Sequence, residues 1–151
     1  MKKMNNKGFS LVELIVVIAI MAVLIGVLAP QFLRYVEKSR LQKDNQSVSE
    51  IASAAKAAMA NEKIYDAVGT GTSITPTSCT YTFTKAGTTA SFVNELADTV
   101  GTQVICTSKT YKTAGNAPTL SVAVDGSTKT VKVTATNYYA DVAGPAETKT
   151  F

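Results

Sequence analysis

The chain of 151 residues contains no histidine and no tryptophan. Without histidine, the commonest general base near neutral pH and the commonest metal ligand are both missing. Cysteine is nearly absent too. Cys79 and Cys106 are the only thiols, and two thiols without histidine do not complete a zinc site. Neither has a basic partner nearby in sequence to make it a nucleophile. Gly69-Thr70-Gly71 lacks the third glycine, the Lys-Ser/Thr pair and the preceding strand of a phosphate loop. Asp125 has no clustered carboxylates around it of the kind calcium needs. These absences point away from catalysis, metals and cofactors.

Charge is also scarce once it is placed. The formal net charge is +4, but Lys2, Lys3 and Lys7 stand at the extreme N-terminus, and setting them aside leaves 12 of the 15 basic side chains against 11 acidic ones. The only basic cluster left is the modest one from Arg34 to Lys43, so no nucleic-acid surface is expected.

What the chain does have is a long apolar run near its N-terminus, Gly8 to Leu33, in which Glu13 is the only charge. A run of about 25 residues is long enough to cross a bilayer core of roughly 30 Å as a helix, and a helix is the one form in which a single span satisfies its backbone there. A carboxylate near the bilayer centre costs roughly 2.5 to 3.5 kcal/mol, so Glu13 must lie near an interface or find a cation. The nearest conceivable cation in that environment is an amine created by cutting the chain just before Phe9.

Lys7-Gly8 followed by Phe9-Ser10-Leu11-Val12-Glu13 resembles the processing site of type IV prepilins: a short basic leader ending in Gly, then Phe, then a carboxylate at the fifth mature position. Pro30 also matches the family. The resemblance covers about the first third of the chain. It implies that a prepilin peptidase cuts between Gly8 and Phe9 and methylates the Phe9 amine. It also implies that Phe9 and Glu13 register each subunit against its neighbours in a helical homopolymer, with an assembly platform and its ATPase machinery as further partners. A methylated amine stays protonated near neutral pH, so Phe9 of one chain and Glu13 of the next can neutralise each other in an apolar bundle. Removing one member of such a pair costs roughly 3 to 5 kcal/mol.

The rival reading of the N-terminus is a conventional secretory signal, with Val27-Leu28-Ala29 as its cleavage site. Pro30 directly after that site and the length of the run argue against it. Positive charges flank the run on both sides, so charge does not set the orientation. A leader on the cytoplasmic side is what the resemblance implies.

The expected fold is α+β: one long helix whose first half is apolar and protruding and whose second half is amphipathic, packed on a small antiparallel sheet. Residues 1–8 form a cleaved leader, 9–30 the membrane and assembly helix, and 31–151 a head that includes the helix to about residue 60. Leu33, Val36, Leu41, Val48, Ile51, Ala55 and Met59 mark the amphipathic face. Unbroken from Phe9 to about Ala60, this helix is roughly 78 Å long. Gly26 and Pro30 are its weakest points, at about 1 and 3 kcal/mol respectively. They predict a kink there, or local melting when the fibre forms, which is what the resemblance implies.

Residues 64–78 lose all periodicity and read as a connecting loop. Strands are expected over 81–84, 103–107, 120–124 and 130–136, with Asp125-Gly126 as a hairpin turn between the last two. A short helix over 91–99 is closed by Gly101. The tail, 137–151, reads as an irregular flap or a short edge strand. The many head threonines suit half-exposed strands. Asn45-Gln46-Ser47 has the glycosylation pattern but sits in mid-helix. Cys79 and Cys106 leave two readings open: a disulfide closing a loop of about 27 residues, worth roughly 3 to 4 kcal/mol, or two buried free thiols acting as small hydrophobes. Their mid-chain position departs from the C-terminal pair usual in Gram-negative pilins, which fits a Gram-positive host.

The leading functional expectation is a structural pilin subunit, held in the cytoplasmic membrane as a single-pass protein and then polymerised into an extracellular fibre. Adhesion, motility, aggregation and biofilm formation are what the resemblance implies for such a fibre. The alternatives are a pseudopilin of a type II secretion or DNA-uptake system and a monomeric membrane-anchored binding domain.

Overall fold

The computed structural model describes residues 8–68, 71–77, 79–83, 92–113, 116–125 and 130–151. The chain divides into two compact units, Met1–Val36 and Glu37–Phe151. Helix α1, Leu11–Ala58, runs through both. At 48 residues it is about 72 Å long, and it stays helical through Gly26 and Pro30.

In the first unit every described side chain up to Tyr35 is exposed. This stretch is long and apolar enough to cross a membrane by length and composition. In the second unit the helix becomes one-sided. Leu41, Val48, Ile51, Ala52, Ala55 and Met59 are buried, whereas Leu33 of the expected apolar face is 67% exposed. The buried face therefore begins one to two turns later than the periodicity suggests.

After the last turn of α1, Asn61 starts a second helix, α2, Glu62–Val68. Its side-chain oxygen accepts from the Lys63 N–H at 3.2 Å and its carbonyl from the N–H groups of Ile64 and Tyr65. An asparagine in this place is a standard N-cap. Strand β1, Gly71–Ile74, follows. The loop expected over 64–78 is thus corrected to a short helix and a strand. The helix was missed because it is only two turns long, with Ile64 fully buried and Tyr65 and Val68 only partly buried against the core. The strand has no alternation of its own to read.

Strands β2, Thr80–Thr82, and β3, Gln103–Ile105, form a two-stranded antiparallel sheet. Both are shorter than expected, and Thr84 lies outside the described residues. Between them α3, Phe92–Val100, buries Phe92, Leu96 and Ala97 and ends at Gly101, whose φ of 90° suits glycine alone. A one-turn helix, α4, Lys109–Lys112, was not foreseen. It is capped by Ser108, whose hydroxyl accepts from the Tyr111 N–H.

The main sheet is antiparallel, with strands β4, Thr119–Asp125, β5, Thr130–Tyr138, and β6, Glu147–Thr150, joined by β1 in the order β1-β4-β5-β6. Leu120 faces Ala135 and Val122 faces Val133 across the β4/β5 ladder. All four are fully buried and belong to one core with the α1 face, Ile64, Tyr81, Phe83 and Leu96. The register ends with Asp125 opposite Thr130, so the two strands form the expected hairpin; the turn itself, 126–129, lies outside the described residues. The tail contains both expected forms, an irregular stretch and then β6 as an edge strand. Asn137, at φ 58°, marks the register shift between β5 and β6.

Candidate processing and assembly site

The N-terminal site is local. Ser10 precedes the first residue of α1, and its N–H donates to the Glu13 carboxylate at 3.0 Å while its carbonyl accepts from the Leu14 N–H at 3.2 Å. This is the glutamate half of a capping box, in which a residue three positions into the helix reaches back to the cap. The Ser-x-x-Glu spacing is a cap signal already contained in the sequence, a role beside the pairing with a Phe9 amine. Glu13 is thus satisfied within its own chain while remaining exposed.

From Leu14 to Leu33 no charged side chain occurs. Those 20 residues rise about 30 Å as a helix, the thickness of a bilayer core. Glu13 and Arg34 therefore stand at the two edges of one membrane-length segment. Phe9 is 85% exposed. A Cβ placed on Gly8 or on Gly26 would meet nothing within 4 Å, so neither glycine is held by packing inside this chain. Gly26 and Pro30 lie four residues apart within the span, both helical.

The head contains a polar cluster that sequence reasoning missed. Asp44 is 3% exposed, and its carboxylate accepts from the Thr107 N–H at 2.8 and 2.9 Å, the Thr107 hydroxyl at 3.0 Å and the Ser108 N–H at 2.7 Å. Beside it the Asn45 amide donates to the Tyr139 carbonyl at 2.8 Å and its oxygen accepts from the Tyr111 hydroxyl. Tyr111 Oη in turn accepts from the Tyr139 N–H at 3.1 Å. Two turns earlier, Glu37 accepts from the Thr110 N–H at 3.0 Å. The signal was present: 37, 41, 44, 45 and 48 share one helix face, so three polar residues fall in the stripe that holds Leu41 and Val48. Polar groups in an apolar stripe imply backbone partners brought in from elsewhere. Asn45 is 8% exposed with its amide engaged, which removes it as a glycan acceptor.

Burial raises the Tyr81 and Tyr111 hydroxyls above the usual tyrosine range. Tyr81 donates to the Pro118 carbonyl at 2.5 Å. Cys79 and Cys106 come together as buried free thiols, each raised chiefly by burial. Among the described residues, no group of three or more Cys, Asp or Glu side chains could hold a metal ion. The site's chemistry is one of association through an apolar surface carrying one carboxylate.

Neither the curated proteins nor the solved structures compared with this chain gave a match. Residues 3–29 match the family model described as the prokaryotic N-terminal methylation motif, a structural motif of pilins. The motif implies processing by prepilin peptidase and assembly into a pilus-type polymer, and with the apolar helix it fits membrane anchoring before assembly. The N-terminus of this chain carries the type IV prepilin-like signal, as in pilin-like and pseudopilin-like prepilins.

Proposed function

We propose that this chain is the structural subunit of a type IV pilus. It is made with residues 1–8 as leader, cut between Gly8 and Phe9, methylated on the Phe9 amine and stored in the cytoplasmic membrane through residues 9–30. The remainder, 31–151, is the head. Polymerisation through the N-terminal helix, driven by an assembly platform and its ATPase, carries the subunit into an extracellular fibre that serves adhesion, surface motility, aggregation or biofilm formation.

The observation that carries this reading is the placing of Glu13 ahead of an uncharged, wholly exposed 20-residue run. Lipid covers such a surface in storage, and neighbouring helices cover it equally well in a fibre. The apolar surface therefore stays covered in both states. The carboxylate adds register, because in a bundle of apolar helices it is neutralised only where a Phe9 amine meets it. Gly26 and Pro30 leave the middle of the run with its weakest backbone, and we assign to that stretch the extension of helices on assembly.

The test is the intact mass of the chain from cell membranes and from fibres sheared off the same cells. Subunits that begin at Phe9, carry one added methyl group and form the bulk of the fibre would establish the reading. Processed chains in the membrane with no such fibres on the cell would replace it with a pseudopilin. A chain still beginning at Met1 would leave an anchored head.

A further inference from the structure

The thiols of Cys79 and Cys106 stand opposite each other at one end of the small sheet, Cys79 just before β2 and Cys106 just after β3. Thr80 pairs with Ile105, Tyr81 with Val104 and Thr82 with Gln103, so one further step along the ladder sets Cys79 across from Cys106. The Cys106 N–H donates to the Cys79 carbonyl at 3.0 Å, which confirms that step. The two thiols are within hydrogen-bonding reach of each other, and both residues are buried, at 4% and 3% exposed. Directly opposed residues of an antiparallel pair have Cα atoms about 4.5 to 5.5 Å apart, inside the span of about 4.4 to 6.8 Å that a disulfide accepts.

A second observation concerns the backbone. Cys79 has φ 63°, within a tight turn closed by hydrogen bonds from the Thr77 N–H to the Thr80 carbonyl and back, at 2.9 and 3.0 Å. Glycine or asparagine adopts that conformation at least cost. A cysteine held there is strained, and the strain is explained when its sulfur has a partner the fold requires. No third ligand accompanies the pair among the described residues, so metal binding does not explain it.

We propose that Cys79 and Cys106 form an intramolecular disulfide in the working protein, bracing β2 against the segment that follows β3. That segment matters because Thr107 and Ser108, next in the chain, are the residues Asp44 holds. The bond fastens the turn before β2 to the same anchor on α1 and encloses α3 within its loop. The reaction joins the two sulfurs as their two S–H bonds break; two electrons pass to a disulfide-bearing oxidant, which leaves as a dithiol, and two protons are taken up in that reduction. Attack requires a thiolate. Because burial holds both thiols protonated, the exchange belongs to the folding stage, before the strands close. The proposal rests on the pilin reading in one respect, that the head folds outside the cytoplasm, where such oxidants operate.

The experiment is to dissolve native membranes in denaturant with excess alkylating agent and no reductant, then to take intact and fragment masses of the full chain. The expected chain carries no alkyl group and is two hydrogens lighter than after reduction, with fragments around Cys79 and Cys106 released as one linked species. Alkylation of both thiols without reductant would overturn the proposal. The N-terminus is read in the same spectrum: a methylated Phe9 start with two alkylated thiols sinks the disulfide and leaves the pilin reading standing, whereas a Met1 start with linked sulfurs does the reverse. Reduction should also lower the melting temperature of the head by roughly 10 to 15 °C. An unchanged melting temperature in a linked chain would overturn the bracing role.

Discussion

Asp44→Ala should destabilise the head more than any other single polar truncation described above. The carboxylate is 3% exposed and takes two backbone N–H groups and one hydroxyl, with one N–H shared between both oxygens. Removing it leaves the N–H groups of Thr107 and Ser108 without an acceptor in a region that water does not reach freely. Each such group costs roughly 1 to 3 kcal/mol, so the two together cost about 2 to 6 kcal/mol. For a unit spanning Glu37–Phe151, with an unfolding entropy of roughly 2.1 cal/mol/K per residue, that is a fall in Tm of about 8 to 25 °C. Asp44→Asn keeps one acceptor oxygen but turns an NH₂ toward a donor, and should lose about half as much. Thr107→Ala removes only the hydroxyl and should cost about 1 kcal/mol. Lys43→Ala, an exposed neighbour on the same helix, should change Tm by less than about 2 °C. The assay is thermal unfolding of the full chain in detergent, followed by near-ultraviolet circular dichroism. An Asp44→Ala protein melting within about 4 °C of the parent would show that the cluster does not hold the loop to the helix.

The double role of Glu13 can be separated. Glu13→Gln keeps a capping acceptor and removes the charge, so fibres counted by electron microscopy should fall at least tenfold while membrane levels hold; normal fibres from this variant would mean the cap alone matters. The raised tyrosine hydroxyls set an alkaline limit. Tyr81 and Tyr111 stay protonated in the fold above pH 10, where the unfolded chain ionises them, so their stabilisation is complete below about pH 10 and is lost as pH rises beyond it. The last two of the six tyrosines to ionise should therefore do so together with unfolding, and absorbance of all six tyrosinates at native ellipticity would contradict the burial argument. Deleting residues before Gln31 should yield a head that stays soluble without detergent and melts cooperatively; aggregation of this fragment would put the division at that residue in doubt.

The N-terminal third could be read from the sequence because its signals are local and chemical. Leader, Gly8-Phe9 junction, carboxylate spacing and uncharged length need no partner elsewhere in the chain to have meaning. A helix in lipid is dictated by backbone hydrogen bonding alone, so the span from Leu11 onward follows from composition. The β4/β5 hairpin and α3 were legible for a related reason: alternation, an Asp-Gly turn signal and a glycine stop are contained in each segment.

Tertiary structure decided what rests on groups distant in sequence. β1 spans four residues, too few to show a period, and exists because β4 completes its ladder, while β2 and β3, expected over 81–84 and 103–107, keep only three residues each because their mutual pairing ends there. The one turn of α4 is fixed by the Ser108 cap and by Glu37 reaching the Thr110 N–H. Asp44 and Asn45 fall inside the apolar stripe, and their partners lie more than 60 residues away. Two cysteines 27 positions apart became a facing pair only when β2 and β3 closed their register. Burial converts such polar contacts from optional to obligatory, because a polar group removed from water must find a partner, and the fold alone determines which one is near.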